Sequence, residues 1–166
     1  MMKFTAQIIA IFLLGFWSLF LGIGVAFALD SKVIPSTDPV PGRYQAGYEI
    51  YLETCSTCHI PIPPAVLPSE TWKKILEQPD KHYGTQLTDI NRLTQRLLWD
   101  YLSAFSRPLA TDEPMPLYSE QSRYFKALHP RVELPKQMST KTCLVCHPNA
   151  TKFDYRTLDP EWENAP

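Results

Sequence analysis

The chain has 166 residues, and its 16 lysines and arginines nearly balance 17 aspartates and glutamates, giving a formal charge of −1. A balance this close to neutral offers no excess of positive charge for binding nucleic acid. The chain also has 16 prolines, and a protein this short can bury only a limited core from its own side chains.

Residues 1–29 have the composition of an export signal. Lys3 is the only charged side chain in this segment, and Ala26-Phe27-Ala28 fits a small-X-small cleavage site. These features predict an exported protein whose mature chain starts near Leu29, in the periplasm or, in a photosynthetic bacterium, in the thylakoid lumen. Residues 8–29 are also long and apolar enough to span a bilayer, so a retained N-terminal membrane anchor is the alternative.

The next segments lead into a cysteine motif. Residues 30–43 contain three prolines and are predicted to form an extended lead-in. From Tyr44 to Thr54, apolar residues recur at helical spacing, and this segment runs directly into Cys55-Ser56-Thr57-Cys58-His59. The sequence therefore predicts that the motif follows a helix.

The same Cys-X-X-Cys-His pattern occurs again as Cys143-Leu144-Val145-Cys146-His147, and the two copies contain all four cysteines of the chain. This is the attachment pattern of c-type haem, in which both thiols bind one porphyrin and the histidine ligates its iron. We therefore predict two covalently bound haem c groups, one attached through Cys55 and Cys58 and the other through Cys143 and Cys146.

Two other structures could use four cysteines in pairs. A zinc ribbon would place its two half-sites closer together than the 84 residues between Cys58 and Cys143. Two disulfides would not require a histidine after each pair. Haem attachment explains both the spacing and the histidines.

Two further helices complete the predicted first haem lobe, residues 44–106. The first runs from Ser69 to Gln78 and is stopped by Pro79. The second runs from Asp89 to about Phe105, with Thr88 as its cap. Its apolar residues form one stripe with a period near 3.6, namely Ile90, Leu93, Leu97, Leu98, Tyr101, Leu102 and Phe105.

The remainder of the chain has weaker signals for regular structure. Residues 107–122 contain three prolines and are predicted to be a linker or wrapping loop. Residues 123–166 carry the second motif and end in a short acidic tail. The predicted fold is therefore mainly α, with a helical first haem lobe followed by a small, loop-rich second haem lobe.

The histidines match the number of iron ligands that two haems need. His59 and His147 are the proximal ligands of the two motifs, and the chain has only two others, His82 and His129. His82 lies in the loop after the helix that Pro79 stops, and His129 follows the apolar stretch from Tyr124 to Leu128. These two histidines are the candidate distal ligands.

Two details of the ligand sets follow from the residues nearby. Met115 and Met138 are the fallback sixth ligands, which would raise the potential of a haem, but we expect both to be packing residues. The backbone carbonyl that orients His59 is expected to come from Pro63 or Pro64.

The first lobe resembles class I cytochromes c. In that family, a small residue eight positions before the first haem cysteine and an aromatic residue four before it cross a C-terminal helix with a Leu-X-X-Tyr-like pair. Gly47, Tyr51, Leu98 and Tyr101 occupy these positions. Glycine allows two helix backbones to approach closely, and the aromatic rings fill the crossing.

The same resemblance implies the distal ligands. In class I cytochromes c the sixth ligand comes from the loop just before the C-terminal helix, and His82 stands in that place. We therefore assign His82 as the distal ligand of the first haem. His129 then falls to the second haem, although the crossed pairing of the two distal histidines stays open.

The chain as a whole resembles the small dihaem cytochrome c family of bacteria over about residues 50–156. The matching segments are Leu67-Pro68-Ser69-Glu70-Thr71-Trp72, Asp80-Lys81-His82-Tyr83-Gly84, Phe125 with His129, and the second motif with Asn149-Ala150. The resemblance implies bis-histidine haems and an electron-transfer role. Relatives pass electrons to a small monohaem, oxygen-binding cytochrome, so redox proteins are the expected partners.

The resulting functional prediction is a low-potential electron carrier rather than an enzyme, because an iron with two protein ligands has no open position. The alternative is a haem enzyme of the peroxidase type, or a gas-binding protein, in which one distal histidine leaves the iron. A further alternative is a membrane-tethered subunit of a larger complex, which depends on whether residues 8–29 are retained.

Overall fold

The computed structural model describes residues 12–18, 39–88, 90–135 and 138–163. The chain divides into two units, Met1–Ile34 and Pro35–Pro166. In the first unit the described residues 12–18 are helical, and the predicted cleavage site at Ala26-Phe27-Ala28 lies outside the described residues. Within the described ranges, no helix has both the length and the apolar character needed to cross a membrane.

The second unit is built from helices, and its described residues form no named strand. The α-helices in the described part of this unit are α1 (Gly42–Cys55), α2 (Ser69–Glu77), α3 (Arg92–Phe105) and α4 (Arg123–Leu128). Short segments of 3-10 helix lie between and after them, at Pro64–Val66, Pro79–Lys81, Ser119–Gln121, Thr140–Val145 and Ala150–Lys152. The prediction of a mainly α fold is confirmed.

The crossing of α1 and α3 forms the centre of the fold. Gly47 is buried where the helices meet, and a Cβ atom at this position would overlap the Leu97 carbonyl oxygen and lie 2.8 Å from Tyr101 Cβ. One turn later, Tyr51 is 1 % exposed and its ring lies 5.7 Å from that of Tyr101. The predicted contact of a glycine and an aromatic with the second helix is therefore present.

The predicted start of α3 was wrong. The helix begins at Arg92, and the Asn91 side chain caps it by accepting hydrogen bonds from the backbone N–H groups of Leu93 and Thr94. Asparagine is a strong helix cap because its oxygen satisfies N–H groups that lack a partner within the helix. Leu93 is 67 % exposed, so the apolar stripe covers the core only over the later turns of α3.

The main core is shared between the N-terminal and C-terminal parts of this unit. Phe125 in α4 and Phe153 after the last 3-10 turn belong to the same buried cluster as the residues of α1, α2 and α3. The Phe153 ring lies 6.0 Å from Tyr48 and 6.1 Å from Tyr51. The segment that follows the second cysteine motif thus packs into the core of the first lobe. The lobe boundaries at 44–106 and 123–166 stay predictions.

Candidate haem-binding sites

The first cysteine motif continues the last turn of α1. The backbone N–H of His59 donates to the Cys55 carbonyl over 3.4 Å, so Cys55, Cys58 and His59 share one turn. Both cysteines are free thiols, with Cys55 half-buried and Cys58 exposed. Burial, with a smaller effect from Cys58, raises the pKa of the Cys55 thiol to about 12.

The orientation of His59 is fixed by its neighbour along the chain. Its Nδ1 lies 3.0 Å from the carbonyl oxygen of Ile60, which can only accept a hydrogen bond. Nδ1 is therefore the protonated nitrogen, and Nε2 keeps the lone pair that a metal needs. The prediction of a Pro63 or Pro64 carbonyl was wrong, because those oxygens accept from Val66 N–H at 3.0 Å and Trp72 Nε1–H at 2.9 Å.

The residues after His59 form what we call the proximal loop, Ile60 to Pro64. Three of its five residues are prolines, which have no N–H to donate. The loop is instead held through its carbonyl oxygens, which accept from side chains on other elements. Tyr155 Oη–H donates to Pro61 over 2.7 Å, and Tyr51 Oη–H donates to Ile62. The side chains that hold this loop thus also help to position His59.

His82 faces His59 across the first site. Pro79 prevents α2 from continuing, and the 3-10 turn Pro79–Lys81 delivers His82 at its end. The two imidazole centroids are 6.0 Å apart, with 23° between the ring planes. The chain then reverses through Tyr83 and Gly84, which both have positive φ values, and the Tyr83 ring packs edge-on against His82 at 5.0 Å.

The surroundings of His82 favour a neutral imidazole. Burial lowers its pKa, and the neighbouring His59 lowers it further. Its Nδ1 is buried and has no hydrogen-bond partner within the part of the chain that the structure describes. The buried Nδ1 of His147 likewise has no partner among the described residues. An unsatisfied buried nitrogen costs stability, and each site therefore contains one imidazole that no Nδ1 hydrogen bond orients.

The second cysteine motif lies on a tighter turn than the first. It overlaps the 3-10 helix Thr140–Val145, which begins with a capping box at Ser139. The His147 backbone N–H donates to the Cys143 carbonyl over 2.8 Å. Burial raises the pKa of both the Cys143 and the Cys146 thiol above the ordinary value. The two motifs therefore present the same three side chains on different local backbones.

His129 faces His147 across the second site. It lies at the C-terminal end of α4, where its Nδ1 donates to the Phe125 carbonyl over 2.8 Å. The imidazole centroids of His129 and His147 are 6.1 Å apart, with 81° between the ring planes. Burial and the nearby His129 lower the pKa of His147, while the Tyr155 backbone and Asp154 act in the opposite direction.

The distances between the paired rings fit an iron atom between them. A metal–imidazole nitrogen bond of about 2 Å on each side separates the two ring centroids by roughly 6 Å. The structure brings His82 to His59 and His129 to His147, which is the uncrossed pairing. Of the two fallback methionines, Met138 packs against the core as expected, whereas Met115 is on the surface.

Sequence reasoning missed two residues that support the proximal histidines. Tyr155 donates to the proximal loop and its ring lies 5.5 Å from His147. Ile60 supplies the carbonyl for His59. A tyrosine shortly after the second motif gave no signal of a distant partner, while the adjacency of Ile60 to His59 could have suggested the second contact.

The helical fold and the two motifs define a c-type cytochrome with two haems. The family model described as dihaem cytochrome c matches residues 51–155, and the chain belongs to this family. Two covalently bound haem c groups are therefore its cofactors. Cysteines for their attachment are present at positions 55, 58, 143 and 146. Cytochromes of this family are generally exported proteins.

Similar solved structures were also found. The DHC purified from Rhodobacter sphaeroides is 24 % identical with a TM-score of 0.47, and the match covers 63 % of this chain and 94 % of that one. The diheme cytochrome c of Shewanella baltica is 21 % identical with a TM-score of 0.45, covering 69 % of this chain and 87 % of that one. A search of curated proteins found no match.

Proposed function

We propose that this dihaem cytochrome is a low-potential electron carrier in which two histidines ligate each iron. His59 and His82 would hold the first haem, and His147 and His129 the second. The observation that carries the proposal is the separation of about 6 Å between the rings of each pair. When bound, the haems supply a one-electron iron couple.

The ligand set explains why the protein would be a carrier and not an enzyme. An imidazole on each face of the iron leaves no position at which a substrate could bind. The hydrogen bonds from His59 to Ile60 and from His129 to Phe125 hold these rings in one orientation in both oxidation states. Histidine in place of methionine as the sixth ligand also lowers the reduction potential.

The charge distribution supports docking of a redox partner near the second haem. Residues 123–156 contain seven basic and two acidic side chains, which gives 7 − 2 = +5, whereas residues 44–106 contain five basic and seven acidic ones, which gives 5 − 7 = −2. In the described parts of residues 123–156, which are 123–135 and 138–156, the exposed basic side chains are Arg123, Lys126, Arg131, Lys141, Lys152 and Arg156. An acidic redox protein is therefore the proposed partner, and the family suggests a small monohaem, oxygen-binding cytochrome.

The partner proposal predicts a dependence on salt. Opposite charges accelerate the encounter of two proteins, and dissolved ions screen this attraction. The rate of electron transfer to an acidic cytochrome should therefore fall as ionic strength rises. A rate that is independent of ionic strength would contradict this docking surface.

We also propose that the mature chain starts near Leu29 and works in the periplasm, or in the thylakoid lumen of a photosynthetic bacterium. Contact with the membrane would arise only if residues 8–29 were retained. Determining the N-terminal residue of the protein purified from its native host decides between these outcomes. A chain that still begins at Met1 would favour the anchored alternative.

A second candidate function is gas binding at the first haem. It is favoured by the buried Nδ1 of His82, which lacks a hydrogen-bond partner among the described residues, whereas the Nδ1 of His129 donates to Phe125. His82 is therefore the distal histidine that would leave its iron more easily.

Carbon monoxide binding to the reduced holoprotein separates the two functions. The wild-type protein should not respond, whereas His82→Ala and His129→Ala should each bind one carbon monoxide, at the first and the second haem respectively. Binding by the wild-type protein would contradict the electron-carrier proposal. Binding at the first haem alone would favour the second candidate function.

A further inference from the structure

One tyrosine contacts the proximal sides of both haem sites. The hydroxyl of Tyr155 donates to the Pro61 carbonyl over 2.7 Å, two residues after His59 in the chain. The ring of the same side chain lies 5.5 Å from the imidazole of His147 at an angle of 56°. Tyr155 is half-buried, and it also packs edge-on against Phe153 at 5.9 Å.

The contact with Pro61 matters because of how the proximal loop is built. Pro61, Pro63 and Pro64 have no backbone N–H, so the loop cannot anchor itself as a donor at these positions. The carbonyl of Pro61 lies between the Ile60 carbonyl, which orients His59, and the Ile62 carbonyl, which accepts from Tyr51. The Tyr155 hydroxyl therefore donates to the Pro61 carbonyl, which directly follows the Ile60 carbonyl that orients His59.

We propose that Tyr155 is a positioning residue that couples the two haem sites. Its hydroxyl keeps the hydrogen bond from His59 to Ile60 aligned, and its ring keeps His147 in place. A movement of one proximal histidine is thereby transmitted to the other through a single side chain. The proposal rests on the proposed ligation of the two irons by His59 and His147.

The role of Tyr155 predicts in which direction the reduction potential of the first haem changes when the hydroxyl is lost. A hydrogen bond at Nδ1 makes an imidazole a stronger electron donor to its metal, which stabilises the oxidised iron. Without the Tyr155 hydroxyl, the Pro61 carbonyl loses its donor and the adjoining bond from His59 to Ile60 weakens. The reduction potential of the first haem should then rise.

The test compares two conservative substitutions in the holoprotein. Tyr155→Phe removes the hydroxyl and keeps the ring, so the potential of the first haem should shift upward while that of the second stays unchanged. Tyr124→Phe is the matched control, because the Tyr124 hydroxyl also donates to a proline carbonyl, that of Pro108, which lies outside the proximal loop. This control should move neither potential.

Tyr155→Leu extends the test to the second site. Loss of the ring removes the contact with His147, so the potentials and the electron paramagnetic resonance signals of both haems should change. The proposal is overturned if Tyr155→Phe leaves the first haem unchanged, or if Tyr124→Phe shifts it by the same amount. Failure of the ligation proposal would instead be seen in the wild-type protein, as a signal from an iron that lacks two histidines.

Discussion

The two candidate haem sites have the same residue types, two cysteines and two histidines each, on different supports. The first motif ends a helix of fourteen residues, α1, whose Tyr51 lies in the centre of the core. The second motif lies on a 3-10 helix of six residues that contains no buried residue. For the distal histidines, the second site has the better local support. His129 donates to a carbonyl of its own helix, whereas the buried Nδ1 of His82 has no partner among the described residues.

This difference shows that a pair of imidazoles with ring centroids about 6 Å apart can be assembled in two ways. At the first site, tertiary packing of α1 against α3 places the motif, and a loop brings the distal histidine to it. At the second site, local hydrogen bonds orient both the motif turn and His129. Phe153, which follows the second motif in the chain, belongs to the main core. The regions around the two motifs therefore stabilise one common core, although the motifs lie on different supports.

The largest expected loss of stability comes from removing this shared residue. Phe153→Ala should lower the free energy of unfolding by about 4 kcal/mol, because a fully packed aromatic side chain is lost and a cavity remains. Denaturant unfolding of the holoprotein measures this change. Leu93→Ala is the control, since Leu93 is 67 % exposed and its truncation should cost less than about 0.5 kcal/mol. Equal losses in the two variants would mean that Phe153 does not join the regions.

A slightly smaller effect is expected at the crossing of α1 and α3. Gly47→Val should destabilise the protein by about 3 kcal/mol, because its Cβ would overlap the Leu97 carbonyl and force the helices apart. Gly42→Ala provides the control within the same helix, as a Cβ there meets nothing within 4 Å. Thermal unfolding should separate the two variants clearly. If Gly47→Val were as stable as Gly42→Ala, the close approach of the helices would be wrong.

A smaller loss of stability is expected when the hydrogen bond between α2 and the linker, residues 107–122, is removed. Thr71 is buried and its hydroxyl donates to the Pro116 carbonyl over 2.7 Å, next to Leu117, whose carbonyl accepts from the Tyr83 hydroxyl. Thr71→Val should cost about 1–2 kcal/mol, because the buried carbonyl loses its donor. Denaturant unfolding gives the value, and Thr111→Val at an exposed position of the same linker should be close to neutral. If the free energy of unfolding of Thr71→Val equalled that of the wild-type protein, residues 107–122 would not hold the segment around His82 in place.

The smallest expected effect is the separation of the two reduction potentials. The Nδ1 of His59 and that of His129 each donate to a backbone carbonyl, whereas the buried Nδ1 of His82 and that of His147 have no partner among the described residues. A hydrogen bond at Nδ1 makes an imidazole the stronger electron donor, so each haem would have one stronger and one weaker donor, and the two potentials should lie close together. A redox titration that follows each haem by its own spectroscopic signal measures the separation, and two widely separated potentials would contradict this balance.

The sequence predicted those features that depend on spacing along the chain. The motif spacing indicated both haems, and the offset of Gly47 from Cys55 indicated the crossing with Tyr101, which the structure contains. The count of four histidines predicted two pairs, and the structure places the two rings of each pair about 6 Å apart, while ligation of iron by these rings stays a prediction. The number of haems and the helix crossing could be predicted because motif spacing and helix periodicity are local properties.

Features that depend on contacts between distant segments could not be predicted in this way. The bond from Tyr155 to Pro61 joins residues that lie 94 positions apart, and no local pattern marks either partner. The start of α3 was misjudged because Thr88 and Asn91 are both acceptable caps, and the choice between them depends on the surrounding fold. The orientation of His59 by Ile60 likewise depends on how the proximal loop is held.

Electron paramagnetic resonance of the oxidised holoprotein tests the central claim most directly. The angle between two axial imidazole planes determines how the iron d orbitals split, and the structure gives 23° at the first site and 81° at the second. We predict two distinct low-spin signals of equal intensity, one typical of nearly parallel and one of nearly perpendicular imidazoles. A high-spin signal, or a low-spin signal typical of histidine–methionine ligation, would contradict the ligation of both irons by paired histidines.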